Sequence, residues 1–131
     1  MRRRGLRLDR ESFERLVVRA LDTIPEPFAS WLSNVAVVIE NDPDPEVRAA
    51  YGSLLGLYEG VPFTAGDEGF APAIPPRIII YQRPHERCCL TLGELRAEVR
   101  ETVLHEIAHQ FGLSDEELEA MGPLRRQPRH R

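Results

Sequence analysis

No stretch of the chain approaches the roughly 20 consecutive apolar residues of a membrane span, which argues against a helical transmembrane protein. The opening segment from Met1 to Arg10 is charged and lacks an apolar run of secretory-signal length, so a cytoplasmic protein is expected. Cysteine is scarce. Cys88 and Cys89 are the only two, and because neighbours in sequence rarely bond to each other they are expected to be free thiols in a reducing compartment rather than a disulfide framework. Lysine is absent altogether, so all 17 basic side chains other than histidine are arginine. A coding bias accounts for this, and so does the salt-bridged surface of a heat-adapted host. A dedicated basic face is missing as well: the formal charge is -4, and arginines gather at the two ends, at Arg2 to Arg4 and at Arg125, Arg126, Arg129 and Arg131. Nucleic acid is therefore not an expected partner. Internal repeats are also lacking.

What is present fits one compact domain spanning residues 1–131, because a chain of this length with ordinary apolar content supports a single core and not two. The ends, about residues 1–8 and 123–131, are charged or basic and proline-containing and are expected to be disordered.

Asp9 and Ser12 offer helix-starting side chains, and Phe13, Leu16, Val17, Ala20 and Leu21 recur at the three-and-four spacing of an amphipathic helix, which predicts a helix from Arg10 to Asp22. Pro25 and Pro27 interrupt it, and Phe28 to Leu32 reads as a short helical turn carrying Trp31. Val35 to Ile39 is a β-branched strand ended by the turn-rich Asn41-Asp42-Pro43-Asp44-Pro45. A second strand is expected within Leu54 to Glu59 and a third over Ile78 to Tyr81, with a long glycine- and proline-rich loop between them over residues 60–76. From Thr91 to Phe111 the pattern is helical again. Thr91 and Glu94 stand in capping-box relation, and Leu92, Leu95, Val99, Val103 and Ile107 share one side. Gly112 ends this helix, and Ser114 opens a last short one reaching about Met121.

The long helix carries His105-Glu106-Ile107-Ala108-His109. Two histidines four apart lie one turn apart on the same face, so both imidazoles reach one ion. Zinc accepts imidazole nitrogen, and a catalytic zinc needs a third protein ligand while leaving a position for water. Glu106 is placed to take a proton from that water as it attacks a carbonyl polarised by the metal. With four histidines and fifteen glutamates in the chain, such a five-residue string arises by chance with a likelihood of roughly one per cent, so the residues beyond it carry weight. Gly112 lies three residues after His109, where the chain leaves the helix, and Asp115 lies three further on, where a redirected chain returns a carboxylate to the metal.

The whole string, from His105 through Gly112 to Asp115, resembles the elongated zinc motif of metzincins with aspartate in place of a third histidine. Met121 stands beyond it at a distance that suits a Met-turn, against the plainer reading of a core methionine. Taken with Leu54 to Pro62 and the isoleucine strand, it is similar to the minimal zincins, small bacterial zincin-like metallopeptidases, over roughly Phe13 to Met121. The resemblance implies an α+β fold with a small mixed β-sheet packed on a long zinc-binding active-site helix. It also implies Zn2+ at His105, His109 and Asp115, Glu106 as general base, and a peptide or protein substrate.

Plainer readings stand beside these. The histidines suit a charged surface helix, and Asp115 suits a helix cap beside Ser114, which leaves Glu116 as the fallback ligand. Glu94, Glu98 and Glu101 point within about 60° of the His105 direction, either as a solvated face or, for Glu101, as a hydrogen-bonding neighbour of an imidazole. His85-Glu86-Arg87-Cys88-Cys89 invites a second metal cluster, but adjacent cysteines point differently and buried thiols explain them as well. The isoleucine strand reads as core, although a sheet edge beside such a metal pairs with extended peptides, and Tyr81 or His85 near its end are auxiliary candidates for assisting the oxyanion. The function expected is a zinc-dependent peptidase. Its rival is a non-catalytic metal- or peptide-binding regulatory module on the same fold.

Overall fold

The computed structural model of the protein describes residues 5–52, 54–60 and 75–121. Its elements in chain order are α1 (Arg10–Leu21), α2 (Phe28–Leu32), β1 (Ala36–Glu40), α3 (Pro45–Tyr51), β2 (Gly56–Glu59), β3 (Arg77–Tyr81), α4 (Gln82–Arg87), α5 (Leu92–Gln110) and α6 (Asp115–Ala120). The loop expected over residues 60–76 and the tail over 123–131 lie almost wholly outside the described residues.

The three strands form one sheet in the order β1-β3-β2, with β1 parallel and β2 antiparallel to β3, so the sheet is small and mixed as expected. The isoleucine strand is central. Its unbroken apolar run has a physical reason, since a strand covered on both faces has no solvent side on which to place alternating polar residues. Ile78 and Ile80 belong to the main core, and Ile79 and Tyr81 on the opposite face are also buried. Among the described residues the strand edges belong to β1 and β2. The Tyr81 N–H donates to the Leu55 carbonyl at 3.0 Å. In an antiparallel ladder, peptide groups alternate in direction, so those of Leu55, Leu57 and Glu59 face β3 and those of Gly56 and Tyr58 face away from it.

α5 runs through the middle of the molecule, packed by α1 and α2 and by the sheet. It starts at the Thr91 and Glu94 capping box and buries Leu95, Val99, Val103, Leu104, Ile107 and Ala108. Leu104 and Ala108 widen the single apolar seam read from the sequence, because elements on two sides cover this helix, while Leu92 at its start is exposed. Its end is a Schellman turn: Gly112 has φ +89°, the Leu113 N–H bonds the Ala108 carbonyl at 2.9 Å, and the Gly112 N–H bonds the His109 carbonyl at 3.0 Å. Phe111 stacks on Trp31 with centroids 4.3 Å apart, pinning this end to α2.

Three features differ from the sequence reading. α3 was not foreseen, since the proline-rich run that signals a turn also supplies a proline to its first turn, where the missing N–H costs nothing. α4 was hidden by the strand that feeds it and by a proline within its first turn. The leading segment, expected to be disordered through residue 8, joins the fold from residue 5 onward: Leu6 and Leu8 pack against the core, and the Leu8 N–H donates to Glu86 Oε2 at 2.8 Å. Residues 1–4 lie outside the described set.

Candidate metal centre

The last two turns of α5 bring His105, Glu106 and His109 to the surface beside α6. His105 is oriented by the helix itself, because its Nδ1 donates to the Glu101 carbonyl at 2.8 Å. That bond fixes the tautomer and leaves the Nε2 lone pair available for a ligand. The Glu101 carboxylate stands 3.7 Å from the same Nδ1, so Glu101 approaches this nitrogen with both its main chain and its side chain. His109 Nε2 lies 2.8 Å from Asp115 Oδ1, and His105 Nε2 lies 4.0 Å from that same oxygen. The two imidazoles therefore turn their Nε2 atoms toward one carboxylate, with ring centroids 6.3 Å apart.

Asp115 owes this position to a division of labour at the start of α6. Ser114 is the cap: its hydroxyl accepts from the Glu117 N–H at 3.1 Å and the Glu117 side chain bonds back to the Ser114 N–H. Asp115 comes next as the first helical residue, released from capping and facing His109. Glu116 forms no hydrogen bond or ion pair with either histidine among the described residues.

Two ligands each about 2.0 to 2.1 Å from a tetrahedral zinc stand roughly 3.3 Å apart. The separations of 2.8 and 4.0 Å straddle that value, with the carboxylate resting against His109. Among the described residues no three of His, Cys, Asp or Glu already close around one point as metal ligands. The donor types nevertheless suit zinc: two imidazole nitrogens face one carboxylate oxygen, on a side chain that is 70% exposed.

Glu106 sits half-buried between the imidazoles and β2. Its Oε1 accepts the Tyr58 N–H at 2.8 Å, a bond that anchors one carboxylate oxygen to the outward-facing edge of the strand. Burial pushes this carboxyl above its ordinary range, while the Tyr58 amide and the two histidines pull it down. The sequence offered no sign of the Tyr58 contact, because a main-chain N–H is the same group in every residue but proline.

The other candidates are placed elsewhere. His85 is fully buried, with Nδ1 2.8 Å from the Tyr81 carbonyl and Nε2 2.8 Å from Thr102 Oγ1. Burial holds its imidazole below its ordinary pKa, so the ring is neutral and both nitrogens are engaged. Tyr81 is buried at the end of β3, and neither residue is brought together with the histidine pair. Cys88 and Cys89 are free thiols with Sγ atoms 3.7 Å apart. Burial is the main cause that pushes the Cys89 thiol up to about 12, which makes it a poor metal ligand. Met121 is 49% exposed at the end of α6 and so is neither core nor a buried support. No helix among the described residues is long and apolar enough to cross a membrane.

A profile of zincin-like metallopeptidases matches residues 32–123, which takes in the whole sheet, all of α5 and Asp115 and leaves α1 outside. The solved structure of a conserved hypothetical protein from T. thermophilus is similar at 29% identity with a TM-score of 0.50, over 85% of this chain and 97% of that one. No curated protein matches. The family is one of metallopeptidases, enzymes of a kind that act on peptides and generally bind zinc. With most of its length inside the matched span, the chain belongs to the zincin-like metallopeptidase family.

Proposed function

We propose that this protein hydrolyses peptide bonds, with zinc held by His105, His109 and Asp115 and with Glu106 as the general base. One observation carries the reading: Glu106, the carboxylate of the long helix that sits between the two imidazoles and the sheet, is fastened by one oxygen to the edge of β2. Zinc, when bound, supplies Lewis acidity, polarising a carbonyl and lowering the pKa of water.

The protein's own groups do the rest. Glu106 keeps Oε1 on the Tyr58 amide, so Oε2 is the oxygen available to accept a proton from attacking water and return it to the leaving amine. The Glu101 carbonyl holds His105 in the ligand tautomer. The Tyr58 N–H is taken by Glu106, so on the outward side of β2 it is the Gly56 peptide group that offers a main-chain partner to an extended peptide. This role falls to β2 and not to the isoleucine strand, which is enclosed between its neighbours.

His105 and His109 are 44% and 39% exposed, so the centre is open to water and its electrostatics are weakened. That openness favours slow turnover, and it is the feature that would suit a binding module which captures peptides without cutting them. Metal analysis and peptide cleavage separate the two. Purified protein should take up about one zinc per chain, retain it in Glu106→Gln and lose it in His109→Ala, and cleavage of a peptide library should stop in Glu106→Gln. Zinc uptake without cleavage in the unaltered protein leaves the binding module; no uptake after zinc addition sinks both.

A further inference from the structure

Between α5 and the residues leading into β2 lies a cavity of about 310 Å³ that opens onto His105 and Glu106. Glu98, Glu101 and Thr102 form its helical side, and Leu54, Leu55 and Gly56 face them. The two walls approach this closely because residue 56 has no side chain: a Cβ there would come within 2.5 Å of Thr102 Cγ2.

The lining is divided chemically. Leu54, Leu55 and the Thr102 methyl supply an apolar passage, while Glu98 and Glu101, three residues apart on one face of the helix, supply carboxylates. Among the described residues no arginine lines the cavity. Glu98 is half-buried and has no ion-pair partner among the described residues. Glu101 is half-exposed and shares its charge with Arg100 at 3.5 Å and with the His105 ring at 3.7 Å.

From this we infer that the cavity is the subsite for an arginine or lysine side chain of the peptide substrate, with Glu98 and Glu101 as the specificity-determining residues. The assignment rests on the peptidase reading for the identity of the ligand as a peptide. A basic side chain lays its methylene stem along the leucines and carries its charged head to the carboxylates. An acidic side chain meets like charge there, and an aliphatic one covers Glu98 without replacing the water it loses.

The test is a binding measurement that needs no turnover. Full-length, zinc-supplemented Glu106→Gln protein is titrated with peptide pools in which one position at a time is fixed as arginine, lysine, citrulline, norleucine or glutamate. Arginine and lysine should bind about tenfold more tightly than citrulline or norleucine at a single position. Adding Glu98→Gln and Glu101→Gln should bring that preference to near unity, and adding Glu98→Arg and Glu101→Arg should transfer it to glutamate. The inference is overturned if no pool binds, if no position prefers a basic residue, or if the preference survives both pairs of substitutions in folded protein. Cleavage of the same pools by the unaltered protein keeps the two readings apart. Arginine-selective binding without cleavage retains the subsite and removes the peptidase, whereas cleavage indifferent to basic residues retains the peptidase and removes the subsite.

Discussion

His85 and the pair His105 and His109 show the same side chain in two opposite situations. His85 lies inside the protein with both nitrogens spent, one on the Tyr81 carbonyl and one on Thr102, at 2.8 Å each. The pair lies at the surface, with each Nε2 turned toward the exposed carboxylate of Asp115. A buried histidine with both nitrogens satisfied ties elements together, here β3 and α4 to α5, and has nothing left to offer a ligand. His105, with Nδ1 pinned by the Glu101 carbonyl, keeps its Nε2 lone pair available, while His109 places Nε2 on an exposed carboxylate for which water and a metal can compete. The contrast is one of available lone pairs, and burial alone does not set it. Thr102, on which His85 rests, also lines the cavity beside His105, so the buried histidine supports the helix one turn before the exposed pair.

The largest expected effect breaks the contrast on the functional side. His109→Ala should abolish stoichiometric zinc and reduce cleavage to background, while chemical denaturation of the metal-free protein changes little. Zinc at a hundred times its dissociation constant should stabilise the unaltered protein by about 2.7 kcal/mol and the variant by nothing measurable. If the variant instead unfolds, the residue belongs with His85. Glu106→Gln comes next. It should retain zinc and lose about 10²- to 10⁴-fold in cleavage rate, the usual worth of a positioned general base; an unchanged rate assigns proton transfer to another group.

On the structural side, His85→Ala should cost about 2–4 kcal/mol in urea denaturation, because it opens a cavity and removes the imidazole's bonds to the Tyr81 carbonyl and the Thr102 hydroxyl. Zinc content of the folded fraction should be unaffected; loss of zinc from folded His85→Ala would erase the distinction between the two histidine sites. Asp115→Asn should weaken zinc by about 10- to 100-fold and Glu116→Gln should not, as read by competition with a chelator. The reverse result gives the third position to Glu116.

The smallest effect sharpens the comparison through pH. Burial holds the folded His85 below its ordinary pKa, so the unfolded chain takes up the proton first as the solution is acidified. The stability that this histidine contributes is fully present above its unfolded value of about 6.5 and is lost progressively as pH falls below it. The slope from this one group is at most about 1.4 kcal/mol per pH unit. Urea denaturation of metal-free protein between pH 7.5 and 5, compared with folded His85→Gln, isolates it as a difference in slope; equal slopes would mean that His85 is not held neutral.

Much of the candidate centre is legible in residue order, because its parts are local. The spacing of His105 and His109, the cap at Thr91, the exit at Gly112 and the cap at Ser114 each depend on atoms within a turn or two along the chain. Asp115 is legible in the sequence only as a choice between cap and ligand; the structure gives the cap to Ser114 and sets Asp115 against His109. α3 and α4 are not legible because proline signals a turn as readily as a helix start in the first, and falls inside the first turn of the second.

Tertiary packing decided the remainder. The grip of the Tyr58 amide on Glu106 joins residues 48 apart through a main-chain group that carries no side-chain signature. The enclosure of His85, the central position of the isoleucine strand and the acidic cavity beside His105 likewise arise only where β2, β3 and α5 meet. Helical periodicity and capping are chemistry between near neighbours and can be read from residue order, so the helix that carries the histidine pair announced itself. Which groups are buried, which strand has a free edge and which carboxylates share a cavity depend on surfaces that come together only when distant segments pack, and for these the order of residues is silent.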